Sequence, residues 1–357
     1  MPIPSIDFSA VFASDAGAKK ILVEQLEAAC RSHGFFQLTG HGIPQSLLDA
    51  ALDQSKELFS LPLEVKENQQ NGIRGWSANG AMSLWLLDLG GFNRGYERLR
   101  SQNFEALAQG DLKEGYYFGK DLRIDNPKVL ERKFNLGPNK YPKDVTDPVQ
   151  FRKVIDDYHA AMCVLAEIII RTLCATIGND YDWVSDFIGT PIAVLRLLHY
   201  PPQAPNASAT ERGIGAHTDF GAITILLQDM VGGLQVWDRA SSEWIDVKPP
   251  EGALVVNLGN LMMRWTNDRY LSNLHRVINK SGRERYSIPF FFSGNPDFVV
   301  ECFSKCRGDA GPKYPPVTVG EWVSGRYADT YGTSKDNAFT ELSSIDASAE
   351  SAYKPKE

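Results

Sequence analysis

The chain has 357 residues, of which 43% are hydrophobic and 23% charged, and its formal net charge is −7. This composition excludes a disordered chain and a fibrous repeat, and the mildly acidic balance without a basic stripe predicts no nucleic-acid partner. The sequence has no run of about 18 apolar residues and no apolar signal region at its start, so we expect neither a membrane span nor a secretory leader.

The first half of the chain predicts a mainly helical layer. Its elements, in chain order, are a strand over 3–8, a helix over 16–32, a strand over 35–38, a helix over 44–59 and a helix over 147–178. The last of these repeats apolar residues at spacings of three and four and therefore needs a core to pack against. The Gly-rich stretch 71–95, with Trp76, Trp85 and 84–89, predicts either a lid over a site or a buttressing loop.

From residue 193 the pattern changes to short strands separated by turn residues. The predicted strands cover 193–200, 222–228, 234–238, 244–247, 253–258, 275–278, 285–292 and 298–301. Such a series is typical of an all-β barrel or a double-sheet jelly roll. Because no linker is visible, we expect one integrated domain over 1–357. It would comprise a helical half at 1–190, a β core at 191–300 that includes a candidate metal site, and a partly frayed C-terminal segment at 301–357.

The five cysteines have irregular spacing and no CxxC pair. They indicate reduced thiols rather than a disulfide framework, and hence a cytoplasmic protein.

Two histidines and an aspartate predict a metal site. His217 and Asp219 form an HxD, and in an extended strand residues i and i+2 point to the same face. His275 begins another predicted strand. Two imidazoles and one carboxylate are the ligand set of non-haem Fe(II) sites that leave one face of the metal open. The alternative for each histidine is a hydrogen-bonded structural residue, which we also expect for His33, His41, His159 and His199.

Ten residues after His275, the sequence Arg285-Tyr286-Ser287 opens an apolar strand. The period of two places Arg285, Ser287 and Phe291 on one face. A buried arginine is costly unless it meets an anion, and its guanidinium binds a carboxylate through two hydrogen bonds, to which a serine can add a third. The alternative is a structural pair between Arg285 and an Asp or Glu.

These motifs together resemble the 2-oxoglutarate/Fe(II)-dependent dioxygenases of the isopenicillin N synthase type, and among them fungal thymine hydroxylase-type members. The resemblance covers nearly the whole chain. It is carried by Gly215-x-His217-Thr218-Asp219-x-Gly221, the distant His275, Arg285-x-Ser287, Gly34-Phe35-Phe36, His41-Gly42-Ile43-Pro44 and 195–202 (LRLLHYPP). The chain has Asn260 where many relatives have the Asp of an Asn-x-Gly-Asp turn, and we expect this to affect a turn rather than the chemistry.

The resemblance implies a mainly β fold with a helical buttress and a double-stranded β-helix (jelly-roll) core. It assigns Fe(II) to His217, Asp219 and His275, and the distal carboxylate of the cosubstrate 2-oxoglutarate to Arg285, Ser287 and Tyr200. With O2, such an enzyme oxidises a small molecule, by hydroxylation as the default and by desaturation or ring formation in some cases, and releases succinate and CO2. Microbial secondary metabolism is the expected setting, with no obligate protein partner and no membrane partner.

Three further residues are candidates for binding the substrate. Arg196 shares a strand face with Tyr200 and could bind an anionic or carbonyl-bearing substrate, or equally support 2-oxoglutarate. Phe220 and Phe291 could line an apolar pocket or simply pack in the core.

Three other functions compete with this reading. An oxidase like isopenicillin N synthase would need no 2-oxoglutarate. A non-catalytic binding protein need not keep an open metal site, and a zinc hydrolase would not need the Arg285-x-Ser287 pair.

Overall fold

The computed structural model describes residues 2–69, 93–102, 104, 110–178, 183–204, 206–207 and 211–330. The strands are β1 Ser5–Asp7, β2 Phe35–Thr39, β3 Gly95–Glu97, β4 Glu114–Gly119, β5 Ile192–Tyr200, β6 Ile214–His217, β7 Ile223–Gln228, β8 Leu234–Asp238, β9 Glu243–Asp246, β10 Leu254–Leu258, β11 His275–Val277, β12 Arg285–Gly294, β13 Val299–Val300 and β14 Val317–Thr318. The helices are α1 Ala16–Ser32, α2 Gln45–Ser60, α3 Leu63–Glu67, α4 Pro127–Leu130, α5 Pro148–Thr176, α6 Val184–Ile188, α7 Asn260–Trp265 and α8 Val319–Thr330.

Two facing sheets form the β core. The larger has eight strands in the order β1-β2-β10-β7-β12-β5-β4-β3, and the smaller has four in the order β6-β11-β8-β9. A cluster of apolar residues, including Leu198, Val236 and Val277, lies between them. This is the predicted jelly-roll core, and the mainly β fold class with a helical buttress is confirmed.

The helical layer covers the outer face of the large sheet. Alternation along β12 explains the two faces: Phe290 and Phe292 pack into the main core with the helices, while Arg285, Ser287 and Phe291 line a cavity on the other side. The helices α1, α2 and α5 pack on one another and on strands of this sheet.

The helix α5 is long and apolar enough, by length and composition alone, to cross a membrane, which the sequence did not lead us to expect. In the structure it packs against α1, α2 and the large sheet, and its buried side chains include Phe151, Met162 and Ile169. Its apolar composition is therefore explained by its place in the core of this fold.

Residues 1–190 supply more strands than predicted. The strands β3 and β4, absent from the prediction, form one edge of the large sheet, and β1 forms the other. β4 is buried at every position, so it lacks the alternation that marks a half-exposed strand. The predicted lid with Trp76, Trp85 and 84–89 lies outside the described residues.

The C-terminal segment is ordered as far as the structure describes it. In α8, Trp322 and Val323 are buried in the main core. The indole Nε1 of Trp322 donates to the carbonyl of Phe220 at 2.9 Å, which ties α8 to the turn after β6. The part expected to fray, from about Thr333, lies outside the described residues.

Candidate metal centre and cavity

Three side chains meet at one end of the small sheet. His217 ends β6, His275 begins β11, and the two are partners across the antiparallel ladder. Asp219 follows β6 by two residues, and its Oδ1 lies 3.8 Å from Nε2 of each histidine. One ligand atom from each residue lies within 4.8 Å of the others. The expected convergence occurs, but through the turn after β6 rather than along an extended strand, because the strand ends at His217.

Backbone carbonyls orient the two imidazoles. Nδ1 of His217 lies 2.8 Å from the Gly215 carbonyl, and Nδ1 of His275 lies 3.2 Å from the Asn273 carbonyl. Because a carbonyl can only accept, each Nδ1 carries the proton and each Nε2 presents its lone pair. Burial, reinforced by the neighbouring His275, lowers the pKa of His217, so its ring is neutral, as a metal ligand must be.

Two side chains of the large sheet hold Asp219. Its Oδ2 accepts hydrogen bonds from Thr224 Oγ1 at 2.5 Å and from Asn257 Nδ2 at 2.7 Å, and these donors sit side by side on β7 and β10. Burial opposes ionisation, but the two histidines and these hydrogen bonds together lower the pKa of Asp219. With Oδ2 occupied, Oδ1 is the oxygen that faces the imidazoles. The donor set, two neutral imidazoles and one oriented carboxylate, fits Fe(II).

Arg285 lines the same cavity and is fully buried. Its Nε donates to the Gly232 carbonyl at 2.6 Å, its Nη2 to Gln228 Oε1 at 2.8 Å, and its Nη1 to Ser287 Oγ at 3.3 Å. All three acceptors are neutral. Among the described residues no Asp or Glu forms an ion pair with Arg285, so the alternative of a structural pair finds no support there.

Tyr200 completes this end of the cavity. The guanidinium of Arg285 lies 4.6 Å from the centroid of the Tyr200 ring, and the Ser287 hydroxyl is 3.4 Å from the Tyr200 hydroxyl. The register explains the grouping, because Arg285 pairs with Tyr200 across β12 and β5. The three residues assigned to the distal carboxylate therefore form one cluster.

The other end of the cavity carries the three candidate substrate residues. The Arg196 guanidinium lies between the rings of Tyr117, at 4.5 Å, and Phe291, at 4.8 Å. Its Nη2 donates to the hydroxyl of Tyr327 on α8 at 3.2 Å. Phe220 and Phe291 are half-buried and line the cavity, so they are not simply packed in the core.

Sequence reasoning missed several cavity residues. Thr224 and Leu226 line the cavity from one face of β7, and Gln228 shares that face without lining the cavity. Two polar residues on one face of an otherwise apolar strand could have revealed this part of the site. Asn257 begins the Asn-x-Gly-Asn turn, and the sequence of that turn does not indicate its contact with Asp219. Phe104, which stacks on the His217 ring at 4.4 Å, and Tyr327 carry no local signal.

The remaining histidines have structural partners. His199 bonds to Glu114 at 2.8 Å and to Glu284 at 2.6 Å on the outer side of β5. The other three bond to neighbouring groups: His33 to Ser32, His41 to Gly252, and His159 to Ala193. Asn260 begins α7, and its backbone N–H donates to the Asp219 carbonyl at 2.8 Å, so this position lies in a turn beside the site.

Comparison with known proteins gives a consistent result over both halves of the chain. The 2OG-Fe(II) oxygenase superfamily profile matches residues 191–294, and the profile of the non-haem dioxygenase in morphine synthesis N-terminal region matches residues 3–144.

Relatives cover nearly the full length of the chain. The 2-oxoglutarate-Fe(II) type oxidoreductase hxnY of Emericella nidulans is 46% identical, over 92% of this chain and 90% of that protein. Clavatol oxidase claD of Penicillium crustosum is 33% identical, over 92% of this chain and 96% of that protein. The crystal structure of full-length Neurospora crassa thymine 7-hydroxylase in complex with alpha-KG and thymine has a TM-score of 0.76 at 28% identity, over 92% of this chain and 97% of that chain.

Proposed function

Because this chain belongs to the 2-oxoglutarate/Fe(II) oxygenase superfamily, we propose that His217, Asp219 and His275 bind its iron. The protein is a 2-oxoglutarate-dependent dioxygenase that oxidises a small molecule. When bound, Fe(II) and the cosubstrate supply the chemistry, in which 2-oxoglutarate and O2 yield succinate and CO2 as the substrate is oxidised. Other residues of this chain orient the ligand atoms. Main-chain carbonyls orient the two imidazoles, and Thr224 and Asn257 orient the carboxylate of Asp219.

Arg285, Ser287 and Tyr200 bind the distal carboxylate of 2-oxoglutarate. The observation that carries this assignment is a fully buried guanidinium on the cavity wall that forms no ion pair with any described acidic residue. A buried cation of this kind is stabilised by an anion, and a carboxylate matches the guanidinium fork.

Arg196, Phe220 and Phe291 bind the prime substrate. Arg196 offers a cation that contacts the rings of Tyr117 and Phe291, and the phenylalanines offer apolar faces. These features suit a planar small molecule that carries an anionic or carbonyl group. The Neurospora crassa hydroxylase, which is crystallised with thymine, offers a precedent for such a ligand on this fold.

Arg285→Gln tests the cosubstrate site. Truncation of one partner in a buried charge pair costs on the order of 2–5 kcal/mol, so the dissociation constant of 2-oxoglutarate should rise about 30-fold or more. Binding to the anaerobic Fe(II)-loaded protein measures this directly. Unchanged binding of 2-oxoglutarate, with weaker binding of the substrate instead, would make Arg285 a substrate anchor and favour the oxidase.

His217→Ala, Asp219→Ala and His275→Ala test the metal site. Each variant should fold and lose 2-oxoglutarate-dependent O2 consumption, because three ligands leave no spare. Near-normal activity in any of the three would remove that residue from the metal site. O2 consumption by the unaltered protein without 2-oxoglutarate would support the oxidase alternative.

A further inference from the structure

The polar groups that contact the buried guanidinium of Arg285 are all neutral. Gln228, 6% exposed, lies at the end of β7 and pairs in register with Ser287 of β12. Its side-chain oxygen accepts from Arg285 Nη2 at 2.8 Å. A carboxylate at this position would form a tight ion pair, whereas the amide of Gln228 leaves the charge of Arg285 in place.

The turn after β7 supplies a second neutral acceptor. Gly232 and Gly233 have φ of +88° and +91°, a region that favours glycine, and the Gly232 carbonyl accepts from Arg285 Nε. A side chain at Gly233 would also place its Cβ 2.5 Å from the Ile278 carbonyl. The turn is therefore built so that its main chain reaches the guanidinium.

The hydrogen bonds of Arg285 leave some of its N–H groups available for a ligand. A guanidinium has five N–H groups. Among the described residues, Gly232, Gln228 and Ser287 accept from three of them, which leaves one N–H on each terminal nitrogen without a described acceptor. Two N–H groups on adjacent nitrogens are what a bidentate carboxylate requires.

We propose that Gln228 is a positioning residue for the cosubstrate: it fixes the fork of Arg285 while leaving its charge for the distal carboxylate of 2-oxoglutarate. This inference rests on the proposed role of Arg285. Gln228 acts through Arg285, and its neutrality matters as much as its hydrogen bond. A glutamate of similar size would form an ion pair with Arg285 and compete with the distal carboxylate of 2-oxoglutarate for the guanidinium.

Two substitutions of similar size separate charge from contact. Gln228→Glu adds a carboxylate beside Arg285, and Gln228→Met removes the hydrogen bond without adding charge. We expect Gln228→Glu to raise the dissociation constant of 2-oxoglutarate at least 30-fold, equivalent to about 2 kcal/mol. Gln228→Met should raise it only about 3- to 10-fold, the effect of one lost hydrogen bond. The measurement is calorimetric titration of 2-oxoglutarate into the anaerobic Fe(II)-loaded protein.

Iron affinity provides the control readout. It should stay within about threefold of the unaltered protein in both variants, because neither touches a metal ligand. Equal effects of Glu and Met on 2-oxoglutarate, or no effect of either, would overturn the inference. If Gln228→Glu fails to fold, Gln228→Met still decides: unchanged 2-oxoglutarate affinity, or a parallel loss of iron affinity, contradicts a positioning role.

Arg285→Gln, measured in the same titration, distinguishes the two levels of the argument. If it weakens 2-oxoglutarate while Gln228→Glu does not, the role of Gln228 is wrong and that of Arg285 stands. If Arg285→Gln itself has no effect, the proposed cosubstrate site is wrong, and the inference about Gln228 fails with it.

Discussion

Removal of the hydrogen bonds that hold Asp219 should weaken metal binding by a predictable amount. Asn257→Leu and Thr224→Val each delete one donor to Oδ2, at 2.7 and 2.5 Å, with little change in volume. A hydrogen bond to a charged group contributes about 1.5–3 kcal/mol, and about 1.4 kcal/mol corresponds to a factor of ten. Each variant should therefore bind metal about 10- to 100-fold more weakly, the range seen when partners of metal ligands are removed.

The assay is titration of Fe(II) under anaerobic conditions, with 2-oxoglutarate-dependent O2 consumption then measured at saturating metal. Thr266→Val is the matched control, because Thr266 is also fully buried and hydrogen-bonded, to the Met262 carbonyl in α7, but does not line the cavity. It should lower stability without changing iron affinity. Iron affinities within about threefold of the unaltered protein in both Asn257→Leu and Thr224→Val would refute the reasoning.

Two further predictions concern stability. A fragment that starts near residue 191 should not fold, because it lacks both edges of the large sheet and the helices that cover it; a soluble fragment with cooperative urea unfolding would contradict this. Burial lowers the pKa of His159 from 6.5 to about 4, so the unfolded chain takes up a proton at a higher pH than the native protein does. Stability should consequently fall by about 3 kcal/mol as pH drops from 6.5 to 4, and His159→Gln should reduce that loss. Urea unfolding at about pH 7 and 4.5 measures the free energy of unfolding of both proteins. An equal loss of that free energy between the two pH values in both proteins would contradict the prediction.

Local patterns in the sequence located most of the regular elements. α1 spans 16–32 as predicted, and its start is fixed by Asp15, whose side chain accepts from the N–H groups of Gly17 and Ala18. The strand around Arg285 was predicted over 285–292 and continues to Gly294. Periodicity and capping are local properties, so a single sequence displays them.

The missed elements lack that local signal. β4 is buried on both faces and so shows no alternation. The role of α8 depends on distant contacts: the Tyr327 hydroxyl accepts from Arg196, which lies 131 positions earlier in the chain. Such pairings arise from tertiary packing, which periodicity does not record.

The same distinction divides the candidate site. His217, Asp219, His275 and Arg285 stood out because their residue types are chemically distinctive where strands were expected. Thr224, Asn257 and Gln228 have ordinary structural uses, and only the pairing of neighbouring strands places them beside those four.

The position of Asp219 links the two sheets. The histidines belong to the small sheet, while the carboxylate between them is tethered to Thr224 and Asn257 of the large one. An ion bound to all three residues therefore acts as a cross-link through the sandwich, and its binding free energy resists separation of the layers. Amide hydrogen exchange in β8, β9 and β11 should consequently slow when metal binds, more than in β5 and β12, whose packing on the helices does not depend on the ion.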